Sequence, residues 1–197
     1  HSMNTFAQAG TFLVQSLGSL YLAIVILRFL LQLVQADFYN PISRFLVNAT
    51  HLPSKPIRKL LPAYRSFDIA SLVLALLVQW LVIQLSATIN GAGMINVLFV
   101  LSWGAIGIVS LILNIYLYGL LIVIIVSWVA PQSHHPVLLL LHQLISPVME
   151  PFRRIIPPLG GLDLSPIFMF LVINMLQIFL HGIANYMQLP AHVVAGI

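Results

Sequence analysis

The residues of this sequence best suited to chemistry are basic pairs set beside carboxylates. Arg153 and Arg154 stand between Glu150 and Asp163, and Arg58 and Lys59 precede Asp68 at the same interval. A guanidinium can fork two N–H donors onto a carboxylate or phosphate, while a lysine offers a mobile point charge, so both sets are built to hold anionic groups. The pairs Pro56/Pro151, Arg58/Arg153, Lys59/Arg154, Pro62/Pro157 and Asp68/Asp163 are each 95 residues apart, as 58 and 153 are.

Catalytic patterns are missing. The chain has no Gly-rich phosphate loop, no His-Glu-x-x-His and no nucleophile elbow, and its four acids fall at helix starts or interfaces. It has no cysteine, which excludes disulfides, thiol catalysis and cysteine-ligated metal centres. His135 and His142 are seven residues apart and His181 lies near the end of the last apolar run, but interfacial histidines without an identifiable supporting shell do not make a haem or metal site. Neither an enzyme, a cofactor nor a metal is expected, and no nucleic-acid partner.

The elements that must position these groups are set by composition. With 60% hydrophobic and 6% charged residues, a soluble fold could not cover its surface. Apolar runs of about 20 residues match the hydrocarbon thickness of a bilayer. Four such spans are expected, at Thr11–Gln35, Ile69–Asn90, Ser102–Ala130 and Leu164–Gln188, with Met94–Leu101 as an interfacial lead-in to a tilted third helix. His1 and Ser2 read as a tag remnant before Met3, and the next residues lack a signal peptide's basic n-region and cleavage site, so the first apolar run should stay as a helix.

The fold class that follows is an all-α membrane protein of two parallel tandem repeats, 3–93 and 94–197. Tyr21/Tyr116, Pro41/Pro136 and Leu46/Leu141 extend the matched pairs at the same offset. Each unit reads as a helix, a proline-punctuated connector and a second helix, so each returns the chain to its starting side. Seven of the eight basic residues lie in the connectors, while Gly91–Asn96 and both termini carry none. The positive-inside rule then puts the connectors in the cytoplasm and the termini outside.

In the connectors, Asn40-Pro41, Lys55-Pro56, His135-Pro136 and Glu150-Pro151 each resemble an N-cap with proline at the first helical position, which predicts short helices starting at all four prolines. Asp68 and Asp163 precede spanning helices, where a carboxylate can accept from free backbone N–H groups. FLVNATHL and VLLLLHQLI are apolar enough to lie in the inner interface, bringing Arg58-Lys59 and Arg153-Arg154 to anionic lipid headgroups or an acidic partner.

Arg28 is the single charge well inside a span, about 12 Å from its inner end; Gln79 and its repeat mate Asn174 lie about 16 Å beyond the aspartates, at 1.5 Å per residue. An intramembrane arginine marks a functional site unless it snorkels or is paired. These depths nearly coincide, so the three form a candidate polar cluster, with the two amides expected to be buried between helices.

Two copies of a helix, an NP or HP connector start, P-[IF]-R-[KR]-[LI]-[LI]-P and an aspartate six residues later resemble the YggT family, also called YlmG, over nearly the whole chain. Ser127-Trp128 and GGLDLSP from Gly160 to Pro166 are similar to the family as well, while the first unit departs at Gln32-Leu33 and at Tyr64-Arg-Ser-Phe. The resemblance implies a small bacterial inner-membrane protein without a recognised catalytic centre, associated with envelope or division-linked processes and osmotic or ion homeostasis; it links plastid relatives to cytochrome assembly and organelle organisation. Two roles stay open: a non-enzymatic scaffold binding other membrane or envelope proteins through its connectors, with homo-oligomers allowed, and a permeation element lined by Arg28, Gln79 and Asn174.

The topology is directly testable. Cysteines placed near Lys55 and Arg153 should react only with reagent added on the cytoplasmic side, and cysteines near Gly93 or Ala191 only from outside; cytoplasmic labelling at position 93 would exclude the four-span arrangement.

Overall fold

The structure is a computed structural model that describes residues 2–189 and 194–196; His1 of the expected tag remnant and the labelling position Ala191 lie outside the described residues. All regular secondary structure among the described residues is helical: α1 Ser2–Leu33, α2 Pro41–Leu60, α3 Ile69–Ile89, α4 Val97–Val129, α5 Pro136–Ile155 and α6 Ser165–Tyr186. Four of these, in α1, α3, α4 and α6, are long and apolar enough to cross a membrane.

Two boundaries differ from expectation. Helix α4 runs unbroken from Val97, so most of the expected lead-in is part of the span itself and only 94–96 stay outside. The reason is local: Asn96 accepts from the Leu98 N–H and starts the helix, and no breaker follows in Val97–Leu101. Helix α1 likewise extends beyond the expected span, starting at Ser2 instead of Thr11, and stops two residues early. Gln35 takes a left-handed φ of 56°, and the Ala36 N–H turns back to the Leu31 carbonyl, closing the helix end.

The connectors also correct the reading of their prolines. Pro41 and Pro136 do open helices, capped by the Asn40 and His135 side chains on Ile42 N–H and Val137 N–H. Pro56 and Pro151 do not; they lie inside single 20-residue helices, as do Pro53 and Pro147. An interior proline deletes one backbone hydrogen bond and costs about 3 kcal/mol. Tertiary contacts hold these helices through it. Ser43, Leu46, Thr50 and Ser54 form a buried stripe along α2, and Leu138, Leu140, Leu144, Ile145 and Met149 do the same for α5. The Ala49 carbonyl, left without its donor by Pro53, accepts instead from the Tyr21 hydroxyl at 3.2 Å.

The 95-residue frame seen in the sequence recurs in the coordinates. Helices α2 and α5 begin and end in register, and the turns after them close on Tyr64/Phe67 and on Leu159/Leu162, positions again 95 apart. Arg65 adopts φ 54° where Gly160 has φ 60°, while Ser66 does not take the positive φ of its mate Gly161 (80°), so the first unit's departure from glycine keeps the closing hydrogen bonds and changes the backbone between them.

Helix α1 packs on α3, α3 on α4, and α4 on α6, while among the described residues α1 and α6 are not packed together. Gly18 permits the α1–α3 approach, because a Cβ there would overlap Val82. The connector helices pack along this row, α2 on α1 and α3 and α5 on α4 and α6, and are joined where the Asn40 side-chain N–H donates to the Pro136 carbonyl at 3.0 Å and the Asp37 N–H to Gln143 Oε1 at 3.0 Å. The core formed by Leu22, Ile26, Leu74, Val78, Leu120, Leu144 and Met169 runs continuously across both units.

Replacing Tyr21 with phenylalanine should lower stability by about 1 kcal/mol, the net value of one buried hydrogen bond. In a Pro53→Ala background, where residue 53 again offers its N–H to Ala49, the same replacement should cost much less. Equal costs in both backgrounds, measured by unfolding in detergent, would show that Tyr21 does not compensate the proline.

Candidate functional site

Each connector ends in an arginine–aspartate latch. Arg58 in the last turn of α2 meets Asp68 at 3.2 Å, and Arg153 in the last turn of α5 meets Asp163 at 3.4 Å. Pro62 and Pro157 follow the C-cap residues Leu61 and Ile156, stop each helix, and let the tight turn bring the aspartate back to the arginine ten residues upstream. The latch ties the connector to the start of the next spanning helix.

The two latches differ in surroundings. The Asp68 side chain has 0% exposure, whereas Asp163 has 49%. Asp68 does not cap α3 with its side chain, contrary to expectation; its Oδ2 accepts from Ser71 Oγ at 2.6 Å as well as from Arg58. Arg28 reaches from α1 to the same carboxylate, Nε lying 3.9 Å from Oδ2, a Coulomb contact too long for a hydrogen bond. Its terminal nitrogen donates to Thr50 Oγ1 at 2.6 Å, and Thr50 in turn donates to the Leu46 carbonyl. Three helices therefore converge on one buried anion.

The second unit has Val123, Ile145, Met149 and Pro166 at the mates of Arg28, Thr50, Ser54 and Ser71. There the polar network is replaced by a cavity of about 160 Å³ lined by these residues with Arg153 and His142. Asp163 behaves as a cap: its Oδ1 accepts from the Ser165 N–H at 3.0 Å. That bond, helped by Arg153, holds its carboxyl below the ordinary carboxylate value. Since the folded form is the stronger acid, this stabilisation is complete above the unfolded pKa and is lost as pH falls through the folded one.

The paired basic residues divide. Arg153 bridges Asp163 and, at 3.8 Å, Glu150 rather than forking onto one carboxylate. Lys59 and Arg154 face outward; Arg154 is 77% exposed and meets only Glu150, at 3.8 Å, among the described residues. Pro56 and Pro151 lie within α2 and α5, a turn or less before these basic pairs.

The expected intramembrane cluster does not assemble. Arg28 belongs to the Asp68 network, as above. Gln79 is fully buried between α3 and α4, donating to the Gly104 carbonyl at 3.3 Å and to the Ala195 carbonyl at 2.8 Å while accepting from Ala195 N–H. Asn174 stays half-exposed and donates to Phe170 of its own helix. A long arginine so close to the connector end turns toward a buried carboxylate instead of toward amides deeper in the span. No cluster of three or more metal-ligating side chains occurs among the described residues.

Sequence reading missed Thr50, Ser54 and Ser71, although Thr50 and Ser54 recur at one helical turn and Ser71 follows Asp68 by three. It also missed the Gln177–Asn114 hydrogen bond of 2.8 Å between α6 and α4, and the seal over Gln79 by Val194–Gly196.

Comparison with known proteins agrees with this duplicated plan. The CCB3/YggT family model matches twice, over residues 7–89 and 102–184. A Pseudomonas aeruginosa protein named only as uncharacterized is 45% identical over 170 residues, 86% of each chain. The protein named YggT of Escherichia coli K12 is 31% identical over 186 residues, 94% of this chain and 93% of its own. The chloroplastic YlmG homolog protein 2 of Arabidopsis thaliana is 45% identical over 62 residues, 32% of this chain and 24% of its own. No solved structure matches.

The unequal burial of the latches gives unequal mutational costs. Asp68→Asn should destabilise by about 3 kcal/mol, because it strands Arg28 without its counter-charge, and adding Arg28→Met should recover part of the loss. Asp163→Asn should cost under about 1 kcal/mol and flatten the acid limb of the stability profile. Equal costs, measured by unfolding in detergent, would contradict the assignment of Asp68 as the buried hub.

Proposed function

Because the chain belongs to the CCB3/YggT family across both of its halves, we propose that it is a non-enzymatic scaffold or assembly factor of the bacterial inner membrane. Its two units run parallel, with connectors in the cytoplasm and both termini outside, as the basic residues of the connectors favour. The docking elements are α2 and α5, which present Lys59 and Arg154 to anionic lipid headgroups and to acidic segments of other membrane or envelope proteins.

The observation that carries this reading is the split within each basic pair. Arg58 and Arg153 are used inside the fold, while Lys59 and Arg154 remain exposed at matched positions. A permeation path has less support, because Arg28, Gln79 and Asn174 are separated and each is bound to groups of the protein.

Photo-crosslinkers placed beside Lys59 and Arg154 should capture discrete membrane proteins, and Lys59→Glu with Arg154→Glu should reduce capture at least tenfold while insertion stays normal. Arg58→Lys with Arg153→Lys should instead lower stability first. Unchanged capture by the glutamate variant, or solute flux through liposomes that depends on Arg28, would defeat the scaffold reading.

A further inference from the structure

The two places where the first unit departs from the repeat, Gln32-Leu33 and Tyr64-Arg-Ser-Phe, come together in space. Gln32, in the last turn of α1, lines a pocket of about 370 Å³ with Gln35, Ala36, Phe38, Arg65 and Ser66. The pocket lies between the end of α1 and the turn that leads into α3, at the connector ends of two spans, which is the depth of lipid phosphates.

Four of these lining residues carry polar side chains, and all four can donate hydrogen bonds. Among the described residues the Gln32 and Gln35 amides and the Ser66 hydroxyl have no hydrogen-bond partner, and Arg65 makes no ion pair. The guanidinium instead lies over Tyr64, 5.4 Å from the ring centroid, which steadies its direction. No acid lines the pocket, and the carboxylates nearest in sequence are engaged elsewhere: Asp37 Oδ1 accepts from the Tyr39 N–H, and Asp68 is buried with Arg58 and Ser71. Arg65 is held at a left-handed φ of 54°, a conformation costly for arginine and free for its mate Gly160. At the mates of the four donors the second unit has Ser127, Ala130, Gly160 and Gly161, and the Ser127 hydroxyl already donates to the Ile124 carbonyl at 2.6 Å. The donor set belongs to the first unit and not to the second.

We propose that this pocket binds a phosphate group. The Arg65 guanidinium forks two N–H groups onto its oxygens, and the two amides and the Ser66 hydroxyl supply the remaining donors. One positive charge among neutral donors matches the single charge of a phosphodiester. The group is either the headgroup phosphate of a phospholipid or a free phosphate reaching the pocket from water. The site is separate from Lys59 and Arg154, and it stands whether or not those residues dock a partner.

The full-length protein would be treated with an arginine-selective dicarbonyl reagent and the adducts followed peptide by peptide. One arm uses neutral detergent with inorganic phosphate or chloride at equal ionic strength; the other uses nanodiscs of phosphatidylcholine and phosphatidylglycerol without added phosphate. Exposed Arg44 is the internal reference. Near saturation, phosphate should slow the reaction of Arg65 roughly tenfold relative to Arg44, because only the unoccupied fraction reacts. Gln32→Ser with Ser66→Gly gives these positions the residues of the second unit, leaves Arg65 in place and should abolish the protection. Arg65→Gly should keep the fold, since glycine takes this φ without strain, and should remove the rise in melting temperature that phosphate confers. Protection in the nanodiscs identifies a lipid source, and protection only by added phosphate a free one. Equal slowing of Arg65 and Arg44, no slowing in either medium, or protection that survives in the double variant overturns the proposal.

Discussion

One buried carboxylate organises the first unit. Asp68 has no exposed side-chain surface, yet it receives Arg58 from the connector, Ser71 from its own helix and the field of Arg28 from α1. An uncompensated charge at such a place would cost several kcal/mol, so α1, α2 and α3 must keep these groups together. Their constraint runs outward: Arg28 fixes Thr50, Thr50 and Ser54 fix the buried stripe of α2, and α2 holds its helical path through Pro53 and Pro56. The second unit shows that the architecture does not require this network, because α5 keeps the same register over apolar contacts and a small cavity. The polar hub is therefore a specialisation of one repeat, and its value is geometric definition more than net stability.

Much of the plan was legible in the residues, for reasons that differ by element. The four spans are uniformly apolar and long, a signal that needs no partner to interpret. The repeat frame was legible because eight paired positions keep one offset, and it proved sharp enough to match helix ends and turn closures. Asn40 and His135 were readable as caps because capping is local. Pro56 and Pro151 were misread because the same local rule applies at a helix start and cannot see the tertiary contacts that carry a helix through a proline. Arg28 was placed with Gln79 and Asn174 because depth along a helix was the only coordinate available; which face each residue occupies is set by packing. The seal by Val194–Gly196 was invisible for the same reason, since nothing in that apolar tail announces a hydrogen bond to Gln79.

The repeats are alike in backbone and unlike in chemistry. Arg65 holds a left-handed conformation that Gly160 adopts without strain, and although Ser66 lacks the positive φ of Gly161, the turn's closing hydrogen bonds are preserved even where its residue is unfavourable. Backbone geometry at that point is needed to return Asp68 or Asp163 to its arginine, and this requirement is common to both units. What lies behind the latch is free to vary, polar in one unit and hollow in the other.

Helix geometry accounts for the pairing of basic residues that first drew notice. Consecutive residues on an α-helix point about 100° apart, since a turn takes 3.6 residues. If the first of two neighbours faces the aspartate at the foot of the next span, the second must face away from it. Arg58 and Arg153 occupy the inward position and meet carboxylates through directed N–H groups. Lys59 and Arg154 occupy the outward one, where a point charge serves as well as a guanidinium, and this is the position at which the two units differ in residue type. The dipeptide thus combines an internal tie and an external charge in adjacent residues. Any partner that reads the outward charge also reads the orientation of a helix locked to the transmembrane bundle, so the connector presents its charge on a fixed frame instead of a flexible loop.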